Sequence, residues 1–253
     1  MDASLSQVDA LAISGLRKAF DKPVVKDLTL QVRPGELYAL LGSNGAGKTT
    51  TLRMVAGLIA PDAGSVHIFG IDCAQDPLAA RAVTAWVPDE PMIYDKLTPL
   101  EYMALIAGLW SVKPALAAQR TDELFTTLGL NEVANQRCEA FSRGMKQKVA
   151  LAGALVHEPR LLLLDEPLTG LDAAMARIVK DLLDARVRGG ATIILTTHIL
   201  EVAERMASRI GILHHGELVA EGTFSQLQAR FGGGKGSLED VFVDLVTDTR
   251  SAA

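Results

Sequence analysis

Cysteine is scarce in this 253-residue chain, with only Cys73 and Cys138, far apart and without metal-ligand spacing. That excludes a disulfide framework or a cysteine zinc site as the organising device. Long apolar runs are missing too: no stretch reaches the eighteen or so uninterrupted apolar residues of a membrane span. The opening "MDASLSQVDALAISG" lacks the basic residues of a signal peptide, so the expected location is cytoplasmic. A formal net charge of −5 argues against nucleic acid as the main partner, although a local basic patch can survive such an average. No internal repeat is visible, so the chain carries one copy of its functional unit. What remains is an ordinary globular composition, 49% hydrophobic and 22% charged, long enough to bury a real core. The mean hydropathy of +0.22 leans apolar, a surplus that suits a surface facing a partner.

The first third reads as strands. "VVKDLTLQV" alternates and places Leu28, Leu30 and Val32 on one face, and "SVHIFG" is a short strand bounded by glycine. After "VTAWVP" the texture changes. Thr98, Pro99 and Glu101 form a capping box with proline at the first helical position, and a second helix runs to a stop at Gly129. The segment from Pro91 to Leu155 is therefore an inserted helical lobe. Beyond it come "RLLLLDE", a helix capped by Asp172 and ended at Gly189, "ATIILTTH", and a helix from Leu200. That alternation implies parallel strands with crossover helices. "GGGKG" reads as a flexible link to a last helix, "SLEDVFVDLV".

Two stretches look able to hold anions. In "GSNGAGKTT" a strand, "ELYALL", runs into Gly42, Ser43, Asn44, Gly45, Ala46, Gly47, Lys48, Thr49 and Thr50 and on into a helix. Glycines let successive amides face phosphate, Lys48 adds a point charge, and the Thr49 hydroxyl can ligate magnesium. In "AFSRGMKQKVALAGAL" Ser142 precedes a helix, where a serine commonly caps free amides; the plain alternative is a capped helix that binds nothing. "LLLLDEP" is an apolar run suited to a strand buried on both faces, and it ends in two carboxylates. In open parallel sheets ligands sit at the carboxyl ends of strands, so Asp165 and Glu166 arrive where phosphate and metal should lie. Asp165 is assigned to the magnesium shell and Glu166 to the general base that polarises the attacking water. His198, at the end of "TIILTTH", is placed to touch the terminal phosphate and that water, though a lone histidine is more often structural.

Taken in order, the phosphate loop, "FSRGMKQK" opening a helix, "LLLLDEPLTGLD" close behind it and "TTH" after one more strand resemble the nucleotide-binding subunit of an ABC transporter, over nearly the whole chain. The resemblance implies an α/β fold: a P-loop ATPase core with a mixed or parallel sheet, an N-terminal antiparallel β subdomain and an inserted α-helical subdomain. It divides a single domain of residues 1–253 into a core with its β subdomain (1–90 and 156–231), a helical subdomain (91–155) and a linker with a final helix (232–253). ATP and Mg2+ are the implied cofactors. The implied partners are a separate transmembrane permease and a second ATPase subunit paired head to tail, with the chain peripheral on the inner face of the cell membrane. In such a pair "FSRGM" serves the ATP held by the other chain, so Ser142 and the Gly144 amide would contact the terminal phosphate across the interface. Two anion sites per chain then make sense.

The pattern also bends. Where the family commonly has glutamine between core and lobe, "WVPDEPMIYD" presents Asp89, whose role at the metal is open. The aromatic that stacks on adenine falls at Phe20, which equally suits a core position in the first strands. Arg143 and Met145 replace glycine and glutamine in the signature. "SRGMKQK", the acid at position 89 and the terminal "SLEDVFVDLV" resemble ATPase subunits of exporters. Met92, Ile93 and Tyr94 are the expected permease contact, with plain lobe core as the alternative. A soluble ABC ATPase acting on ribosomes or nucleic acid is the alternative function, although such relatives carry two cassettes or a long coiled-coil insertion. A P-loop kinase or GTPase conflicts with "FSRGM" and with the lack of an Asn-Lys-x-Asp pattern.

Overall fold

A computed structural model of the chain describes residues 8–231 and 236–251. Residues 1–7, part of the stretch compared with a signal peptide, and residues 232–235 of the expected linker lie outside the described residues. The chain opens with the strands β1 (Leu11–Ala19) and β2 (Pro23–Val32), and β3 (Leu37–Gly42) runs through the glycine loop into α1 (Lys48–Val55). Next come β4 (Ala63–Ile68), β5 (Ile71–Asp72), α2 (Pro77–Ala82) and β6 (Thr84–Val87). Three longer helices, α3 (Pro99–Leu109), α4 (Pro114–Leu128) and α5 (Arg143–Leu155), form the lobe. β7 (Leu161–Asp165), α6 (Ala173–Arg188), β8 (Thr192–Thr197), α7 (Leu200–Met206) and β9 (Arg209–His214) alternate after it. β10 (Glu217–Gly222), α8 (Phe224–Phe231) and α9 (Leu238–Ser251) close the chain.

The strands divide into two sheets. One is antiparallel, in the order β2-β1-β4-β5; the other runs β10-β9-β3-β8-β7-β6 and is parallel from β9 to β6, with β10 antiparallel at its edge. So β3 and β6, although early in the chain, belong to the second sheet. The hairpin of β9 and β10 was not foreseen from the sequence; it packs Ile210, Ile212 and Ala220 with Leu238 and Val241 of α9. The final helix is thus seated on the core through its first two turns.

β7 explains the parallel sheet most directly. Its five residues are all buried because helices and the antiparallel sheet cover both faces: Leu162 and Leu164 join the core shared with the lobe, Leu161 and Leu163 the core under β1 and β2. At about 1.5–3 kcal/mol for each fully buried leucine, this one strand contributes on the order of 10 kcal/mol of gross burial. The lobe starts as its sequence predicted. Thr98 Oγ1 accepts from the Glu101 amide (3.2 Å), Glu101 Oε2 accepts from the Thr98 amide (2.8 Å), and α4 ends at Gly129.

Just beyond α5, His157 packs edge-on against Trp110 with ring centroids 4.7 Å apart. Burial, aided by the charge of Arg120, pushes its pKa from 6.5 down to about 4. Below pH 6.5 the unfolded chain takes up this proton while the folded chain refuses it, so the contribution is complete above that pH and is lost as pH falls towards 4. His157→Phe should remove this component. Urea unfolding of both proteins should show the wild type losing up to about 3 kcal/mol relative to the variant between pH 7 and pH 4.

Candidate active site

The parallel register brings four strand ends to one level. Leu41 of β3 lies beside Thr197 of β8, Asp165 of β7 beside Thr196, and Val87 of β6 beside Leu164. The glycine loop, the two carboxylates, His198 and Asp89 each leave one of these ends, so residues far apart in sequence meet because neighbouring strands stop together.

In the loop, Gly47 stands at φ 104, and a Cβ there would meet the Val24 carbonyl at 2.7 Å; only glycine fits. It precedes α1 without a side-chain cap, and the first residues of that helix are Lys48, Thr49 and Thr50. Amides at a helix start favour an anion. Ser43, Asn44 and Gly45 are exposed, whereas Lys48 is buried, its Nζ donating to the Gly42 carbonyl (2.7 Å) and the Ser43 carbonyl (3.2 Å). Burial pushes the ammonium pKa down, opposed by the nearby charges of Glu166 and Asp165. An ammonium bonded only to neutral carbonyls in such a place has strong affinity for an anion.

Asp165 is 1% exposed. Its Oδ1 accepts from Thr196 Oγ1 at 2.5 Å, while its buried Oδ2 has no partner among the described residues. A buried carboxylate with one oxygen unsatisfied suits a cation, and with the Thr49 hydroxyl it supplies the hard oxygen donors that magnesium takes. Glu166 adopts a positive φ of 50, held there by its amide, which donates to the Thr196 carbonyl (3.1 Å). Its Oε2 lies 2.9 Å from His198 Nδ1. Thr196 thus orients both acids, a role missed from the sequence; the signal was a hydroxyl residue directly opposite Asp165 in the register.

A cleft of about 440 Å³ joins these parts, lined by Gly42, Ser43, Asn44, Glu166 and His198. Asp89, Arg143 and Phe242 of α9 also line it. Lys48, Thr49, Thr50 and Asp165 lie outside its lining, as do Phe20, Ser142 and Gly144. Phe20 stands at the turn between β1 and β2, 63% exposed, with Lys18 Nζ 5.6 Å from its ring centroid; its placement in the core is thereby corrected. Ser142 caps α5, its Oγ accepting from the Met145 amide at 3.3 Å, and its residue is exposed at the surface. Gly144 lies against the loop after β7, where a Cβ would meet the Gly170 carbonyl at 2.4 Å.

Residues 25–169 match the family model described as ABC transporter. The chain is 34% identical over 226 residues to the ABC-type transporter ATP-binding protein EcsA of Bacillus subtilis (strain 168), covering 89% of this chain and 92% of that protein. It is 36% identical over 224 residues to the daunorubicin/doxorubicin resistance ATP-binding protein DrrA of Streptomyces peucetius, covering 88% of this chain and 68% of that one. A solved structure titled as the ATP binding subunit of an ABC transporter superposes with a TM-score of 0.89 at 34% identity, over 93% of this chain and 99% of that chain.

The close approach at Gly144 can be measured by itself. Gly144→Ala should destabilise the fold by about 1–3 kcal/mol through overpacking against the Gly170 backbone. Gly108→Ala, in α3 with nothing within 4 Å of the added carbon, should be neutral or stabilising by up to about 1 kcal/mol. Thermal unfolding of the pair checks the contrast.

Proposed function

The chain belongs to the ABC transporter family as an ATP-binding subunit, and from that premise we propose that it hydrolyses MgATP in a head-to-tail pair that drives a separate export permease. The observation that carries this reading is one cleft that joins the phosphate loop to the Glu166–His198 contact, with the neighbouring buried Asp165 left unsatisfied at Oδ2. Two features support the membrane setting. No helix among the described residues is long and apolar enough to cross a membrane, and relatives that this chain matches over 92% and 68% of their length are named ATP-binding proteins, which supports a spanning partner on a separate polypeptide. A relative named for daunorubicin/doxorubicin resistance supports export. In this reading the chain sits on the inner face of the cell membrane.

Each proposed residue role follows from its surroundings. The amides from Gly45 to Thr49 cradle the phosphates, and Lys48 exchanges its carbonyl partners for the terminal phosphate oxygens. Thr49 and Asp165 hold magnesium, which when bound neutralises phosphate charge. Glu166 accepts a proton from water as the water oxygen bonds to the terminal phosphorus and the bond to the bridging oxygen breaks, releasing ADP and phosphate. His198 holds the Glu166 carboxylate in place. Ser142 and the Gly144 amide, idle towards their own cleft, serve the second subunit's nucleotide, and exposed Phe20 offers its face to the adenine ring.

For the permease, an apolar groove of about 390 Å³ lies between core and lobe, lined by Leu58, Trp86, Met92, Tyr102, Leu109 and Trp110. Met92 is 78% exposed and Tyr94 63%, whereas Ile93 packs on the lobe core. The expected contact therefore narrows to Met92, which lines a groove that fits an apolar cytosolic segment of the permease, and to exposed Tyr94 two residues further on.

Glu166→Gln should lower steady-state ATP hydrolysis by roughly two to four powers of ten and leave ATP binding intact. Undiminished turnover would remove Glu166 from its role. Tyr94→Ala, reconstituted with the membrane protein that co-purifies with the chain, should lose roughly tenfold in transport per ATP hydrolysed, the usual worth of a buried aromatic anchor. Unchanged coupling would move the docking site elsewhere.

A further inference from the structure

Two of the positions at which the sequence departs from its family's usual motifs touch each other. Arg143 Nη2 donates to Asp89 Oδ1 at 2.5 Å and to the Asp89 carbonyl at 3.1 Å. One turn along the same face of α5, Lys146 Nζ lies 2.6 Å from Asp95 Oδ1. The Asp95 carbonyl in turn accepts from the Glu139 amide, just before the helix. The segment from Asp89 to Asp95 is thus fastened at both ends to the start of α5, and between the fastenings it carries Met92 and Tyr94 into solvent.

An adjacent side of the same helix start is held differently. Gly144 meets the Gly170 carbonyl with no room for a side chain, and Gln147 Nε2 reaches the Pro167 carbonyl at 3.4 Å. That loop follows Glu166, just past the end of β7, the strand next to β6 from which the Asp89 segment leaves. The first turn of α5 therefore sits between a rigid backbone contact on the carboxylate side and a pair of ionic links on the docking side. The links are half exposed, 48% and 50% at the side chains of Arg143 and Asp89, so they add little to global stability. Their chemistry is directional: a guanidinium bonded to both the carboxylate and the carbonyl of one residue fixes that residue's position.

We propose that Arg143, with Lys146, is a positioning residue that yokes the Asp89–Asp95 segment to the helix start carrying Ser142 and Gly144. Displacement of Met92 and Tyr94 then moves the start of α5 directly, through an ion pair. The inference rests on the function proposed above for that helix, and the test separates the two. Steady-state hydrolysis by the full chain is measured for the wild type, Asp89→Ala, Arg143→Ala, the double variant, and the exchange Asp89→Arg with Arg143→Asp.

Each single change should lower kcat roughly tenfold with KM for ATP moved less than about twofold, the double change should be no worse than either, and the exchange should recover most of the loss. Independent, multiplying losses would overturn the yoke. So would a dead exchange variant beside a silent Asp89→Ala, since the guanidinium would then act on phosphate directly. Amide hydrogen exchange supplies a readout that needs no turnover. Arg143→Ala should speed exchange across residues 92–97 as well as 143–147, and unchanged protection at 92–97 overturns the inference even in a chain that hydrolyses nothing. A wild type without hydrolysis but with that linked loss of protection would instead sink the ATPase reading and leave the yoke standing.

Discussion

Four parallel strands, β3, β8, β7 and β6, end at one level, and their pairing sets the position of everything that faces phosphate. The constraint is geometric: hydrogen-bonded neighbours in a parallel sheet lie about 5 Å apart, so groups leaving adjacent strand ends fall within reach of a single small ligand. It is enforced by burial, since β7 is covered on both faces and a slip by one residue would exchange Leu162 and Leu164 with Leu161 and Leu163 between two differently shaped cores. Such a slip would also part Asp165 from Thr196.

Electrostatics at that level is poised for a ligand. A buried cation stands close to the buried Asp165 and the half-buried Glu166, yet Lys48 is bonded to neutral carbonyls and Asp165 keeps one oxygen unsatisfied. Groups that compensated one another directly would form a closed structural ion pair; here each retains capacity for something not supplied by the chain. The positive φ of Glu166 belongs to the same economy, since strain at a reacting group persists only where neighbouring backbone bonds over-determine it.

Much of the fold was legible because its signals are local. The capping box at Thr98, the stop at Gly129, the cap at Asp172 and the two-sided burial of "LLLLD" each depend on a few neighbouring residues. Sheet membership was less so. β3 and β6 lie early in the chain but pair with strands more than a hundred and about seventy-five residues later, respectively, and no local pattern encodes such partners. The β9–β10 hairpin was missed because its turn, His215 and Gly216, is followed by the weakly alternating "ELVAEG".

By itself the sequence determined the phosphate loop, the two acids at the end of an apolar strand and the capped helix at Ser142, because glycine, charge and cap chemistry act over a few bonds. Tertiary structure decided which of these meet. It placed Glu166 against His198 and Asp165 against Thr196, put Phe20 in solvent, and joined Asp89 to Arg143 across 54 residues. Those contacts arise from strand register and from the packing of α5 between two loops, and both are properties of the assembled sheet that no single segment carries.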